Sequence, residues 1–190
     1  SIPAGDETAE HGHWEPGLEG SLMQALKDAL GNVNVIAEDL GFLTDGVRRL
    51  LYDSGFPGMK VIQFAFDSRE ESDYLPHNYE KNCVVYTGTH DNDTLCGWYK
   101  VLDPEDLKLS QKYMNNANTP KRQIHWDFIR LALASVADLC IIPLQDYLGL
   151  GSEARINTPS TLGNNWRWRM KQGCLTKELA DQIRELTTLY

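Results

Sequence analysis

Cys83-Val84-Val85-Tyr86-Thr87-Gly88-Thr89 runs directly into His90-Asp91-Asn92-Asp93. The first segment is rich in β-branched residues and reads as a buried strand. The second is wholly polar and begins where that strand ends. The same arrangement recurs on both sides. Upstream, Val33-Asn34-Val35-Ile36-Ala37 leads into Glu38-Asp39, and Lys60-Val61-Ile62-Gln63-Phe64-Ala65-Phe66 ends at Asp67. Downstream, Leu139-Cys140-Ile141-Ile142-Pro143-Leu144 ends at Gln145-Asp146.

Helical spacing fills the intervals. Leu18, Leu22, Leu26, Ala29 and Leu30 form one apolar stripe, with Gly31 placed to cap its end. Thr44 or Asp45 can cap a helix that carries Val47, Leu50 and Leu51 and closes at Gly55. Asp103-Pro104 opens another, proline being tolerated in a first turn. A helix over about 120–136 offers Ile124, Phe128, Leu131 and Ser135 as its inward face, and a last one starts at Thr176 with Leu179, Ile183 and Leu186 aligned. Residues 1–17 and 149–165 read as loop. Four near-continuously apolar strands separated by helices predict an α/β fold with a parallel sheet covered on its faces. Glu38, Asp67, Asp91 and Asp146 then lie just beyond strand ends, where an α/β barrel places its active site. An open doubly wound sheet uses the same edge, and periodicity does not separate the two.

Composition narrows the function classes. The chain has 190 residues, 18 Lys+Arg against 27 Asp+Glu, and a net charge of -9. With 42% apolar and 24% charged residues it has the balance of a folded globular protein, and one domain is the default at this length. No apolar run approaches the ~20 residues of a membrane span, so no membrane partner is expected. The acidic balance argues against a nucleic-acid partner. The start has neither the basic flank nor the apolar stretch of a signal peptide. It also lacks an initiator methionine, and the chain is expected to be a processed or excised piece. Cys83, Cys96, Cys140 and Cys174 form no Cys-x-x-Cys pair. They read as reduced thiols of a cytoplasmic protein, Cys83 and Cys140 being strand residues.

Glu38 and Asp91 stand out among the carboxylates. Breaking a glycosidic bond needs a protonated acid on the leaving oxygen and carboxylates facing a cationic transition state. The same two residues could instead cap helices or pair with bases. Thr89-His90-Asp91-Asn92-Asp93 offers many donors and acceptors to sugar hydroxyls; His90, Asp91 and Asp93 also allow a metal reading. His11, His13 and His77 are a further metal alternative, although nothing supplies a closed ligand set. Trp166-Arg167-Trp168-Arg169 alternates aromatic and basic residues. It could stack on bases, stack on sugar faces, or pack beneath the long loop.

Several stretches together resemble the amylomaltase family of 4-alpha-glucanotransferases, also called disproportionating enzymes. They are Ile36-Ala37-Glu38-Asp39-Leu40-Gly41, Phe56-Pro57-Gly58-Met59-Lys60-Val61, Gln63-Phe64-Ala65-Phe66, Leu75-Pro76-His77-Asn78-Tyr79 and Tyr86-Thr87-Gly88-Thr89-His90-Asp91-Asn92-Asp93-Thr94. Leu150-Gly151-Ser152-Glu153-Ala154-Arg155, Asn157-Thr158-Pro159 and Asn165-Trp166-Arg167-Trp168-Arg169 follow in order, and Ile2-Pro3-Ala4 matches at the start. The resemblance implies a TIM (β/α)8 barrel of the α-amylase clan and retaining transfer of α-1,4-glucan segments, with no cofactor and no metal. It implies Glu38 as general acid/base, Asp91 as transition-state stabiliser, His90 as its neighbour in the same subsite, and Asn157 as a sugar contact. It also implies a location in the cytoplasm, or the plastid of a plant-type organism.

One departure matters. The family's nucleophilic aspartate belongs to an Arg-Ile-Asp-His-like motif upstream of the Ile2-Pro3-Ala4 match, and these 190 residues contain no such motif. Residues 1–190 are therefore expected to form the C-terminal half of the barrel, about four strands, where a whole barrel takes ~250 residues. Half a barrel leaves strand edges exposed. Docking with the N-terminal half or self-association is expected, alongside α-1,4-glucan oligosaccharides as partners. A noncatalytic glucan-binding or scaffolding module is the alternative function.

Overall fold

The computed structural model of the chain describes residues 1–31, 33–41 and 43–190. It divides into two compact units, Ser1–Pro57 and Gly58–Tyr190.

The first unit holds two helices, α1 (Glu19–Leu30) and α2 (Asp45–Ser54), both where periodicity places them. The Thr44 hydroxyl caps α2 by accepting the Val47 N–H, and Gly55 ends it at φ 69°, a left-handed conformation that costs glycine nothing. The Lys27 ammonium donates to the Ser54 carbonyl at 2.9 Å and lies 5.6 Å from the Phe56 ring centre. Residues 33–37, expected as the first strand, form no regular element. A strand needs a neighbour to share its ladder. Here the segment is tied by the Ala37 N–H, which donates to the Pro57 carbonyl at 2.9 Å. Val33 and Ile36 stay exposed, and among the described residues of this unit only Ser54 is buried. The segment therefore has neither a ladder nor an apolar layer to hold it as a strand.

The second unit is built on a parallel sheet of β1 (Gly58–Val61), β2 (Cys83–Tyr86) and β3 (Leu139–Ile141), in that order. Met59 stands opposite Val84, and Val84 opposite Leu139. Five helices accompany it among the described residues: α3 (Leu95–Val101), α4 (Pro104–Met114), α5 (Ile124–Leu133), α6 (Leu144–Tyr147) and α7 (Lys177–Leu189). The expected parallel α/β arrangement is present, with shorter strands. After Val61 the chain tightens into a 3-10 turn over Ile62–Phe64. After β3, Pro143 has no N–H to give to a ladder and instead precedes α6.

Helices α4 and α7 start where expected, and Asp103 and Thr176 cap them through their side chains. Helix α3 was not anticipated, because Gly97 in its middle is a poor helix former. The glycine is required by close approach: a Cβ there would stand 2.6 Å from Asp93 Oδ2. On α5 the buried face is Ile124, Phe128, Ile129 and Ala132, rather than the expected face that included Leu131 and Ser135. The helix ends at Leu133, so Ser135 lies beyond it.

These residues meet Ile62, Phe66, Val85 and Leu95 in one apolar core. Phe128 is wholly buried at its centre, edge-on to Phe66, Trp98 and Tyr99 with ring centres 5.3–5.9 Å away. No helix among the described residues is long and apolar enough to cross a membrane. Replacing Phe128 by alanine should destabilise the second unit by about 3–5 kcal/mol, read as a lowered urea midpoint. An unchanged midpoint would place the core elsewhere.

Candidate active site

The site is assembled at the end of β2. Thr87, the first residue past the strand, is fully buried, and its hydroxyl donates to Asp146 Oδ2 at 2.6 Å. The Leu95 N–H at the start of α3 donates to Asp146 Oδ1 at 2.8 Å. Asp146 comes from α6, just beyond the neighbouring strand β3, and is 1% exposed. One carboxylate therefore holds both ends of the loop 87–95. Burial pushes its pKa up to about 6, opposed by the bonds from Thr87 and Leu95 and reinforced by nearby Asp93.

Bonds inside the loop set its shape. The Thr89 N–H and hydroxyl both donate to Asn92 Oδ1 at 2.8 Å. Asp93 accepts the Thr94 N–H on Oδ1 at 2.7 Å and the Ser152 hydroxyl on Oδ2 at 2.6 Å. Its carbonyl accepts from Gln63 Nε2 at 2.7 Å. These inward bonds leave His90 and Asp91 at the outer rim, each side chain about half exposed.

A second loop meets that rim. Asn157 Nδ2 donates to Asp91 Oδ1 at 2.6 Å, and His90 Nε2 lies 3.4 Å from the same oxygen. Arg155 donates from Nη2 to the Asp91 carbonyl at 2.6 Å and from Nε to the Asn157 carbonyl at 2.8 Å. The Trp166 ring is 5.1 Å from the His90 ring, tilted by 38°. Behind the loop, a crevice of about 20 Å³ touches Thr89, Asp93, Asp146 and Arg155. It has room for about one water, so a larger ligand would meet the open rim.

The structure thus brings together His90, Asp91 and Asn157. Glu38 belongs to the first unit, where it is exposed on the extended segment beyond Ala37. Sequence reading gave no role to the supporting residues Gln63, Ser152 and Arg155, although all three lie in stretches that resemble the family. Asp146 carried a local signal, an acid after a strand, but not its burial.

Neither set of residues offered to a metal is gathered as a ligand cluster among the described residues. Both Asp93 oxygens are already engaged. His11 pairs with Asp6, His13 with Glu15, and His77 Nδ1 with the Tyr113 hydroxyl. Among the described residues no group of three or more His, Cys, Asp and Glu side chains could hold a metal ion. Cys83 and Cys140 lie on β2 and β3, and burial pushes the Cys140 thiol up to about 12. What the rim offers is a carboxylate, an imidazole, a carboxamide and an indole, a set suited to hydroxyl groups on a partly apolar ring.

Comparison with known proteins gives a consistent result. A family model described as 4-alpha-glucanotransferase matches residues 1–176. A 4-alpha-glucanotransferase of Clostridium butyricum is 47% identical over 191 residues, covering all of this chain and 39% of its own length. One from Synechocystis is also 47% identical, with 37% of its length covered. The solved amylomaltase of Streptococcus agalactiae, in complex with acarbose, superposes with a TM-score of 0.90 at 37% identity, over all of this chain and 38% of that one. The chain thus spans about two fifths of the length of the relatives it matches.

Asp146→Ala should cost about 3 kcal/mol, because a buried amide and a buried hydroxyl lose their acceptor. The pH dependence has a definite sign. The Asp146 carboxyl ionises near 3.8 when unfolded and about 6 when folded. Its contribution to stability is therefore full below about pH 4 and lost as pH rises through 6. The melting temperature of the native protein relative to Asp146→Asn, which cannot titrate, should fall between pH 4 and pH 7. A constant difference would contradict the burial described.

Proposed function

Because the chain belongs to the 4-alpha-glucanotransferase family, we propose that it is the C-terminal half of a (β/α)8 barrel that transfers α-1,4-glucan segments between oligosaccharides with retention of configuration. The match over residues 1–176 carries this reading, since it includes every residue given a role. The parallel sheet, with polar residues gathered beyond its strand ends, supports it.

In this reading Glu38 gives a proton to the glycosidic oxygen as the donor chain leaves. The nucleophilic aspartate of the family's Arg-Ile-Asp-His-like motif, supplied by the part of the enzyme outside these 190 residues, bonds to the anomeric carbon. An acceptor hydroxyl then displaces it while Glu38 takes up the proton, and two inversions give net retention. Asp91 grips the hydroxyls of the reacting sugar, with its carboxylate aimed by Asn157 and its backbone held by Arg155. His90 completes that subsite. The reaction draws on no cofactor, and the enzyme works in the cytoplasm, or in the plastid of a plant-type organism.

In the full-length protein Glu38→Gln should lower maltotriose disproportionation by several orders of magnitude, because the leaving oxygen loses its proton donor. Asp91→Asn should do the same. Chromatography of the maltodextrin products reads both. Native rates in Glu38→Gln would remove it from its role. Glucan binding without turnover by the unsubstituted protein would favour a noncatalytic glucan-binding module.

A further inference from the structure

Trp166 has φ +63°, a left-handed backbone conformation in which the Cβ of a large residue is crowded by backbone. Its neighbours hold it there. The Trp166 N–H donates to the Ile156 carbonyl at 2.7 Å. Preceding it, Asn165 Oδ1 accepts the Thr158 N–H at 3.0 Å, and Asn165 Nδ2 donates to Thr161 Oγ1 at 3.1 Å. The strain gains no burial, for Trp166 remains 58% exposed. Within these 190 residues packing does not account for a strained residue whose apolar ring stays exposed, and such strain gathers at ligand sites.

The surroundings say which ligand. Ile156, which anchors the Trp166 backbone, sits between Arg155 and Asn157, the two residues that bond Asp91. One short strip therefore fixes both the indole and the carboxylate. On the rim the indole is tilted against the His90 ring. The cations nearby are engaged within the protein: Arg155 donates to the Asp91 and Asn157 carbonyls, Arg167 to the Asn164 side chain and Arg169 to the Trp168 carbonyl. An anionic ligand is thus poorly served. A pyranose ring needs an aromatic surface for its C–H face and hydrogen-bonding groups for its hydroxyls, and both are present within one residue's reach of Asp91.

We propose that Trp166 is the stacking wall of the sugar subsite formed by His90, Asp91 and Asn157, and that it sets the affinity for the glucan ring held there. The inference rests on the glucanotransferase reading above. Trp166→Gly tests it, because glycine is at home at positive φ. In the full-length protein this variant should melt no lower than the native form, yet bind maltoheptaose about tenfold more weakly by calorimetric titration. Trp166→Phe keeps a ring and should bind within about threefold of native. Native affinity in Trp166→Gly would overturn the inference and leave the glucan reading standing. So would a melting temperature lowered by several degrees, since the ring would then serve packing. No binding heat from the unsubstituted protein would overturn both.

Discussion

The Asp146 carboxylate receives one hydrogen bond from Thr87 at the end of β2 and another from Leu95 at the start of α3. A chain leaving a parallel sheet carries backbone and side-chain donors that the ladder no longer satisfies, and in a buried position each must find a partner. Here one acidic side chain, reached across from the next strand, satisfies two of them. Burying a carboxylate is costly, and these bonds offset part of that cost. The cost is visible in the raised proton affinity of the group. With the ends of loop 87–95 pinned, the short bonds among Thr89, Asn92 and Asp93 suffice to fix what lies between.

The rim draws on all three strands. Gln63 follows β1, His90 and Asp91 follow β2, and Ser152, Arg155 and Asn157 follow β3. Parallel strands send all their outgoing chain ends to one edge of the sheet, so side chains remote in sequence converge there. Each connection contributes something different. Gln63 steadies a backbone carbonyl, Ser152 occupies an inward carboxylate, and Asn157 aims an outward one.

Apolar runs bounded by polar residues were enough to locate β2 and β3, to find β1 in part, and to predict that the strands are parallel. Strand ends were less legible, because a 3-10 turn such as Ile62–Phe64 is as apolar as a strand. Residues 33–37 have strand composition but no ladder partner, and composition does not report partners. Gly97 concealed α3 since its reason for being there, the approach of Asp93, lies outside the helix. In the candidate site, the place of His90 and Asp91 beyond the end of β2 was readable from the sequence. Asn157 came from the family resemblance alone. Asp146, Ser152 and Arg155 became meaningful only once the fold supplied their neighbours, because no local pattern encodes a hydrogen bond to a residue more than fifty positions away.

Those long separations have a consequence in time. The bonds that shape the loop around Asp91 join residues 51, 59, 64 and 66 positions apart. Ribosomes add roughly 5–20 residues per second, so Asp91 is made several seconds before Asn157 exists. During that interval the loop groups whose partners are Asp146, Ser152, Arg155 and Asn157 have only water to bond, and the rim acquires its full order only once those residues have been made.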